Sequence, residues 1–472
     1  MLLTLIQKEM MHHILSVRFI VLLLMCLLLV PLTLSMNYQH YRQNLVDYQE
    51  AVKLANAEEK EVNTNMGLDP ELEVAKLFLK PTPLSVFANG LGNALPSYLG
   101  MTRNGIVQGP SGLVSVSLSY LLGHLDFLFL VGTVFSLLAL LFTFDAVAGE
   151  REAGTLRITL ANSLPRDTFL WSKLIGGYIV FVVPFLVSFL FGLLLLVAQG
   201  FPLGEPEFFP RVLSLTLVSS IYIAVFFAIG TVISTYLDNS KTALIVAFTV
   251  WVFAVLITPR VGFLGAKFIA PTQTLQSVYL EKTAVREDIN VGIKEERNKI
   301  YVEVWKGRSR RVPFEEQFAL NREVDKQLRP IHEEFRQKFN DRMDEIDRRY
   351  KREQARQEGV AETLSRISPT SSLIYLSTNL TQTGKTKRND YFQAGERYYD
   401  VLDKEWFSKV VDHVSSRSAD PKKNIKIAQP PDLKTLTLGE TFRQSLMDIL
   451  LLGLFAVVLT TVAFLKFFRS DI

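Results

Sequence analysis

The sequence predicts an all-α integral membrane protein. Six transmembrane helices, an amphipathic N-terminal elbow helix and a large, mostly helical extracytoplasmic domain between helices five and six are expected. Three observations carry this. Apolar residues make up 49% of the 472 positions and charged residues only 21%. The charge is unevenly spread: residues 281–360 hold 20 of the 51 basic and 18 of the 47 acidic side chains, while other stretches carry none. The N-terminal residues, finally, are polar and apolar on opposite helical faces. That distribution excludes a single soluble globule and a disordered chain.

The elements follow in order. Residues 1–18 place Leu2, Leu3, Ile6, Met10 and Ile14 on one helical face and Gln7, Lys8, Glu9, His12 and His13 on the others. Such a helix suits a membrane surface. A span needs about 20 apolar residues to cross roughly 30 Å of hydrocarbon. The first is 19–34; no small-x-small cleavage site follows it, which argues against a removed signal peptide. The second is 118–144, with its apolar core from Phe127, the third 174–198, the fourth 212–237, the fifth 242–259 and the sixth 449–465. Segments 35–117 and 260–448 then lie together on one side. In the second of these, Phe314, Phe318, Val324, Leu328, Ile331, Phe335, Phe339, Met343, Ile346 and Tyr350 recur mostly at helical steps among opposite charges. A helix over about 273–306 is expected to pair with it antiparallel, and Pro330 predicts a kink or break near Leu328. A solvated spacer and a partner-binding arm both fit this region.

Short-loop charge sets the orientation. With the N-terminus inside, Lys8, Arg18, Arg151, Arg157, Arg166, Lys173, Lys241, Lys466 and Arg469 face the cytoplasm, and the short outer loop 199–211 carries Arg211 alone. Both termini are therefore expected to be cytoplasmic.

The cytoplasmic loop 145–173 is too long for a simple connector. Gly154 and Thr155 can turn the chain after a helix bearing Glu150 and Glu152. Thr155 to Ala161 then reads as a short helix with Leu156, Ile158 and Leu160 on an apolar side. Glu150, Arg151, Glu152 and Arg157 would orient a soluble partner, and Leu156 and Leu160 would bury against it. A helix gripping lipid headgroups fits the same residues.

Glu150-Arg-Glu-Ala-Gly-Thr-Leu, with Ser163-Leu-Pro-Arg166 and Lys173, resembles the coupling-helix region of ABC-2 type transporter permeases. It is most similar to the branch holding the nitrous-oxide-reductase maturation and gliding-motility permeases. Six spans, an elbow helix and Ser368-Pro-Thr-Ser-Ser-Leu are similar to that family too. Here its external segments are enlarged. The resemblance implies a permease of an ATP-driven transporter, an exporter in the inner (cytoplasmic) membrane. Two copies or paralogues would pair, each docking on a separate ATP-binding subunit that holds ATP and Mg. Glu150, Arg151, Glu152, Gly154, Thr155, Leu156 and Arg157 would form the coupling surface, and an extracytoplasmic partner protein remains open.

No cofactor, metal or catalytic site is expected in this chain, so it is not expected to be an enzyme. The nearest phosphate-loop string, Asn379 to Gly384-Lys385-Thr386, lacks the first glycine and a preceding apolar strand. Cys26 is the only cysteine, and the six histidines do not cluster. The basic residues alternate with acidic ones, so nucleic acid is not a partner. Two other readings stay open. A secondary transporter wants ionisable groups at mid-membrane, for which only His124 and Asp126, near a span end, offer a pair. An envelope scaffold, mechanotransmission device or sensor needs only the external helical domain.

Overall fold

The computed structural model describes residues 2–61, 69, 71–111, 125–161, 164–204, 206–306, 313–407 and 427–470. His124, Ser163 and the 118–124 approach to the second span lie outside them. Six helical segments are long and apolar enough to cross a membrane: Val17–Ala57, Phe127–Glu152, Arg166–Ala198, Phe208–Tyr236, Ser240–Ile269 and Leu446–Phe468. The chain divides into two compact units, residues 1–257 with 368–472, and residues 258–367.

The larger unit begins with α1 (Leu2–Ile14) and α2 (Val17–Glu61). The helix that carries the first span runs on past Leu34 to Glu61, because no glycine or further proline interrupts the helix-forming residues that follow. Within 35–117 the sequence reading had set out no strands. The structure places there a three-stranded antiparallel sheet of β1 (Ala75–Phe78), β2 (Tyr98–Thr102) and β3 (Gly105–Gln108), ordered β1-β2-β3. The second span is α3 (Phe127–Phe129), a π-helical turn (Leu130–Phe135) and α4 (Ser136–Thr143). Asp126 caps it, accepting from the backbone N–H of Phe129 (2.7 Å) and of Asn89 (3.0 Å). Two short helices follow, α5 (Ala148–Glu152) and α6 (Thr155–Ala161). Then come α7 (Arg166–Ala198), α8 (Phe208–Tyr236) and α9 (Ser240–Trp251), the last running into a second π turn (Val252–Ile257).

An aromatic ladder of Phe127, Phe135, Phe142, Phe181, Phe185, Phe189, Phe226 and Phe227 fills the bundle interior, with Leu22, Cys26, Val30 and Leu34 of α2 against it. The π turns sit where polar side chains intrude on the backbone. The Gly132 carbonyl accepts from the Tyr222 hydroxyl (2.8 Å) and from Ser136 Oγ (2.7 Å), and Trp251 Nε1 donates to Ser136 Oγ (2.9 Å). In the second turn, the Ala254 carbonyl accepts from Ser368 Oγ. Inside lipid every backbone carbonyl needs such a partner.

The smaller unit holds α10 (Thr258–Ile269), α11 (Leu275–Val304) and α12 (Phe314–Ser365). Pro259 falls inside the helical run Ser240–Ile269, just after the π turn Val252–Ile257 that loosens the backbone ahead of it, so helix continues past the expected end at 259. α11 and α12 pair antiparallel: Glu281 with Arg349 (2.6 Å), Lys282 with Asp347 (2.6 Å) and Asp288 with Arg342 (2.8 Å). Ile300, Val324 and Leu328 pack between them. These exposed pairs set register more than stability. Of the kink or break expected near Leu328, the break does not occur, and α12 runs through Pro330 as one helix. Pro330 is on the exposed face, where water can reach the carbonyl it strands. Phe314 and Phe318, which open the apolar series, are 81% and 63% exposed.

The expected single domain 260–448 therefore divides. Its later part belongs to the larger unit, with α13 (Pro369–Leu380), α14 (Lys385–Leu402), a π turn (Asp403–Phe407) and α15 (Leu438–Gln444), before α16 (Leu446–Phe468). α14 covers the sheet, packing Tyr391, Ala394, Tyr398 and Leu402 on Leu77, Leu99 and Met101. Gly395 permits that approach, since a Cβ there would meet Leu99 at 2.5 Å.

Candidate functional site

Loop 145–173 gathers at the end of the bundle that also holds α1, residues 237–240 and the close of α16. Most of its charged groups are anchored. Asp145 accepts both arms of the Arg18 guanidinium (2.9 and 2.6 Å), a bidentate pair. Ser234 Oγ on α8 accepts from the Val147 and Ala148 N–H groups (2.8 and 3.0 Å), meeting the unpaired donors that start α5. Arg151 reaches Asp238 (2.6 Å) and the Leu237 carbonyl (3.3 Å), and Glu152 accepts from the Ser240 N–H (2.9 Å).

Glu150 faces inward. Its carboxylate accepts from Lys173 Nζ at 2.8 Å, and the same ammonium lies 3.2 Å from Glu9 of α1. Lys173 and Glu9 side chains are only 7% and 8% exposed. One cation thus joins the elbow helix, α7 and α5. Gly176 and Gly177 of α7 make the approach possible: a Cβ on Gly176 would lie 3.0 Å from that of Glu9. Small residues serve this purpose in helix contacts within membranes.

Gly154 takes φ +72°, the left-handed conformation that ends α5. Thr155 Oγ1 then bonds back to Glu150, to both its carbonyl (3.2 Å) and its carboxylate. In α6 the expected apolar side splits. Residues two apart on a helix point in nearly opposite directions. Leu156 is 1% exposed and packs on Val147, Phe169, Leu170, Ala463 and Phe467, with Leu160 beside it. Ile158 points away and is 66% exposed, next to exposed Arg157. Leu156 therefore serves the chain's own core, and the apolar group on offer is Ile158. Arg166 closes the site by donating to the Phe468 (2.9 Å) and Ser470 (3.0 Å) carbonyls at the end of α16.

Glu9, Ser234, Asp238 and the inward role of Lys173 escaped the sequence reading. Lys173 carried one signal, a lone cation one residue before an apolar run. Gly384-Lys385-Thr386 starts a helix that follows another helix, α13, so the strand that a phosphate loop needs does not precede it. Among the described residues no cluster of three or more His, Cys, Asp or Glu side chains could hold a metal ion.

The family described as ABC-2 family transporter protein matches residues 3–472. The chain belongs to the ABC-2 family. No curated relative matches it. As an ABC-2 chain it is a membrane permease subunit of an ABC transporter, a class that works in general with an ABC ATP-binding partner.

The elbow of this ABC-2 permease should be sensitive to acid. His13 stacks on Phe142 (5.6 Å), and burial pushes its imidazole down to about 4. Glu9 opposes that fall, while His12, Lys173 and Arg18 add to it. The unfolded imidazole takes its proton near 6.5, so the unfolded chain binds more protons between pH 6.5 and about 4. This contribution is complete above pH 6.5 and is lost as pH falls to about 4, by roughly 2–3 kcal/mol. The amide protection factors of Leu2–Ile14, which divide out the intrinsic pH dependence of exchange, should fall across that window. His13→Phe should flatten the dependence, and a pH-independent wild type would contradict it.

Proposed function

We propose that the chain is the permease of an exporter and that α6 is its docking point for a separate ATP-binding subunit. The observation that supports this is the contrast within α6. Leu156 fixes its inner face to α7 and α16, and Thr155 ties its start to Glu150 of α5 and so to Lys173 and α1, while Arg157 and Ile158 face outward. A partner that seats Ile158 and pairs with Arg157 can push on several spans together. ATP and Mg would be held by that partner. Glu150, Arg151, Glu152, Gly154, Thr155 and Leu156 would act by holding α6 in place, with Arg157 in direct contact. The end carrying α6 and the termini would face the cytoplasm, and two permease chains would form the complete pore.

The test is to purify the tagged chain in mild detergent and identify what accompanies it. A stoichiometric ATP-binding subunit with vanadate-sensitive hydrolysis is expected. Ile158→Asp should cut its recovery at least tenfold while shifting the chain's own stability by no more than about 0.5 kcal/mol. Undiminished recovery would remove α6 from the interface. Orientation is checked separately: a cysteine in place of exposed Lys351 should react with an impermeant reagent in intact cells. Labelling only after lysis would invert the topology.

A second reading has its own observation. α12 spans 52 residues, about 78 Å at 1.5 Å per residue. A rod of that length, braced by α11, suits the transmission of motion to an envelope partner. Normal function after α11 and most of α12 are replaced by a short linker would count against it.

A further inference from the structure

A cavity of about 550 Å³ opens at the end of the bundle away from the termini, between α2, the small sheet and the start of α14. That is the size of a small-molecule site. Lys76, Lys80 and Lys387 line it, as do the rings of Tyr48, Phe78 and Tyr98. The rings form an apolar shelf of tilted faces, with Phe78 5.5 Å from Tyr98 at 49° and 6.4 Å from Tyr48 edge to face. A smaller cavity of about 360 Å³ adjoins and shares the same lysines.

The charges are unevenly matched. Lys76 is compensated by Glu73 at 3.6 Å and lies over the Tyr98 ring at 5.5 Å. Neither Lys80 nor Lys387 has a carboxylate within ion-pair reach among the described residues. Burial, chiefly, holds the Lys387 ammonium below its ordinary value; Asp390 opposes this and the charge of Lys80 adds to it. Both cations line the same cavity and its neighbour. The wall carboxylates, Asp47 on α2 and Asp432 in the adjoining cavity, pair with neither.

The wall is well built. The Thr383 carbonyl accepts from the Leu91 N–H (2.8 Å), and Thr383 Oγ1 donates to the Ala88 carbonyl (2.9 Å), tying the α13–α14 turn to the loop beside it. Gly90, at φ +51°, sits where a Cβ would lie 2.6 Å from the Thr383 carbonyl oxygen. The cavity also lies beyond the bilayer. Its α2 residues run from Asn44 to Ala55. At 1.5 Å per residue these are about 15 to 31 Å past Leu34, the last residue of the apolar run. The headgroup layer adds only about 5–8 Å per side.

We propose that this cavity binds a small soluble anion, with one carboxylate or phosphate group held between Lys80 and Lys387 and an attached ring lying on Phe78 and Tyr98. Such a ligand neutralises two cations at once and covers an apolar shelf, which water does not. The inference stands apart from the docking role of α6, and loss of the ATP-binding partner would leave it intact.

The test uses the full chain purified in detergent, titrated with phenyl phosphate, benzoate and neutral benzamide, and read by calorimetry and saturation-transfer NMR against empty micelles. The two acids should bind saturably and benzamide at least tenfold more weakly. Lys80→Gln and Lys387→Gln should each weaken the acids at least tenfold and change benzamide less than twofold. Lys80 is exposed, so its variant tests the site without a burden on folding. Equal binding of acids and benzamide, or unchanged affinity in both variants, would overturn the proposal. So would binding of dihexanoyl phosphatidate without phenyl phosphate, which would point to a lipid headgroup.

Discussion

Lys173→Met should destabilise the larger unit by about 3–5 kcal/mol, the usual cost of removing one partner from a buried ion pair. The size of the effect follows from what remains. Glu9 is 6% exposed, and Lys173 at 3.2 Å is the cation that meets it. Without it a carboxylate is left in an apolar seam between α1 and α7. Glu150, at 28% side-chain exposure, can turn to water and suffers less. Glu9→Gln alone should therefore be mild, because Lys173 keeps Glu150. The pair of substitutions Glu9→Gln with Lys173→Met should recover more than half of the single loss, since both charges leave together. Thermal unfolding followed by the fluorescence of neighbouring Trp171 reads all three variants. A Lys173→Met chain within about 1 kcal/mol of wild type would show that water reaches Glu9.

Arg211→Met is the second large effect. The Arg211 side chain is 2% exposed and holds three places together. It donates to the Leu380 carbonyl at the end of α13 (3.0 Å), to the Leu436 carbonyl ahead of α15, to Thr441 Oγ1 (3.4 Å) and to Glu207 beside α8 (3.1 Å). Glu207 in turn accepts from the Leu438 N–H (2.6 Å). Met fills the volume but supplies no donor, so buried carbonyls lose their partners at about 1–3 kcal/mol each. A total of about 3–4 kcal/mol is expected, with residues 427–437 cut by protease many times faster. Arg211→Lys should fall between, because an ammonium cannot span the same fork of acceptors. A wild-type cleavage rate in Arg211→Met would remove the clamp from the account.

These two residues also mark where the sequence stopped being readable. The spans were legible because lipid forces an uninterrupted apolar run on any crossing helix. The elbow was legible because its two faces differ, and the charged hairpin because its apolar positions repeat along the helix. Arg211 was read only as the one basic residue of a short loop. Its partners lie from 4 to about 230 positions along the chain, and nothing local names them. Lys173 and Glu9 are likewise far apart in sequence and meet only because Gly176 and Gly177 let two helices close up. The facing of α6 was lost for a different reason. A seven-residue helix makes barely two turns, too few to separate a period of 2 from one of 3.6, so Leu156 and Ile158 seemed to share a side. The sheet at 75–108 stayed hidden because its strands are four and five residues long and their covering comes from α14, about 300 positions away in the chain.

The wide turns at Leu130–Phe135 and Val252–Ile257 bear on how such a chain can tolerate change in length. A π turn carries one residue more than an α-helix needs for the same rise. Elsewhere in a span, dropping a residue swings everything beyond it by about 100° and presents the wrong face to its neighbours. Within these two turns the same deletion only tightens the coil and leaves the downstream register in place. Each wide turn is thus a slack link, a spot where a buried helix can shorten by one residue and still meet its neighbours in phase.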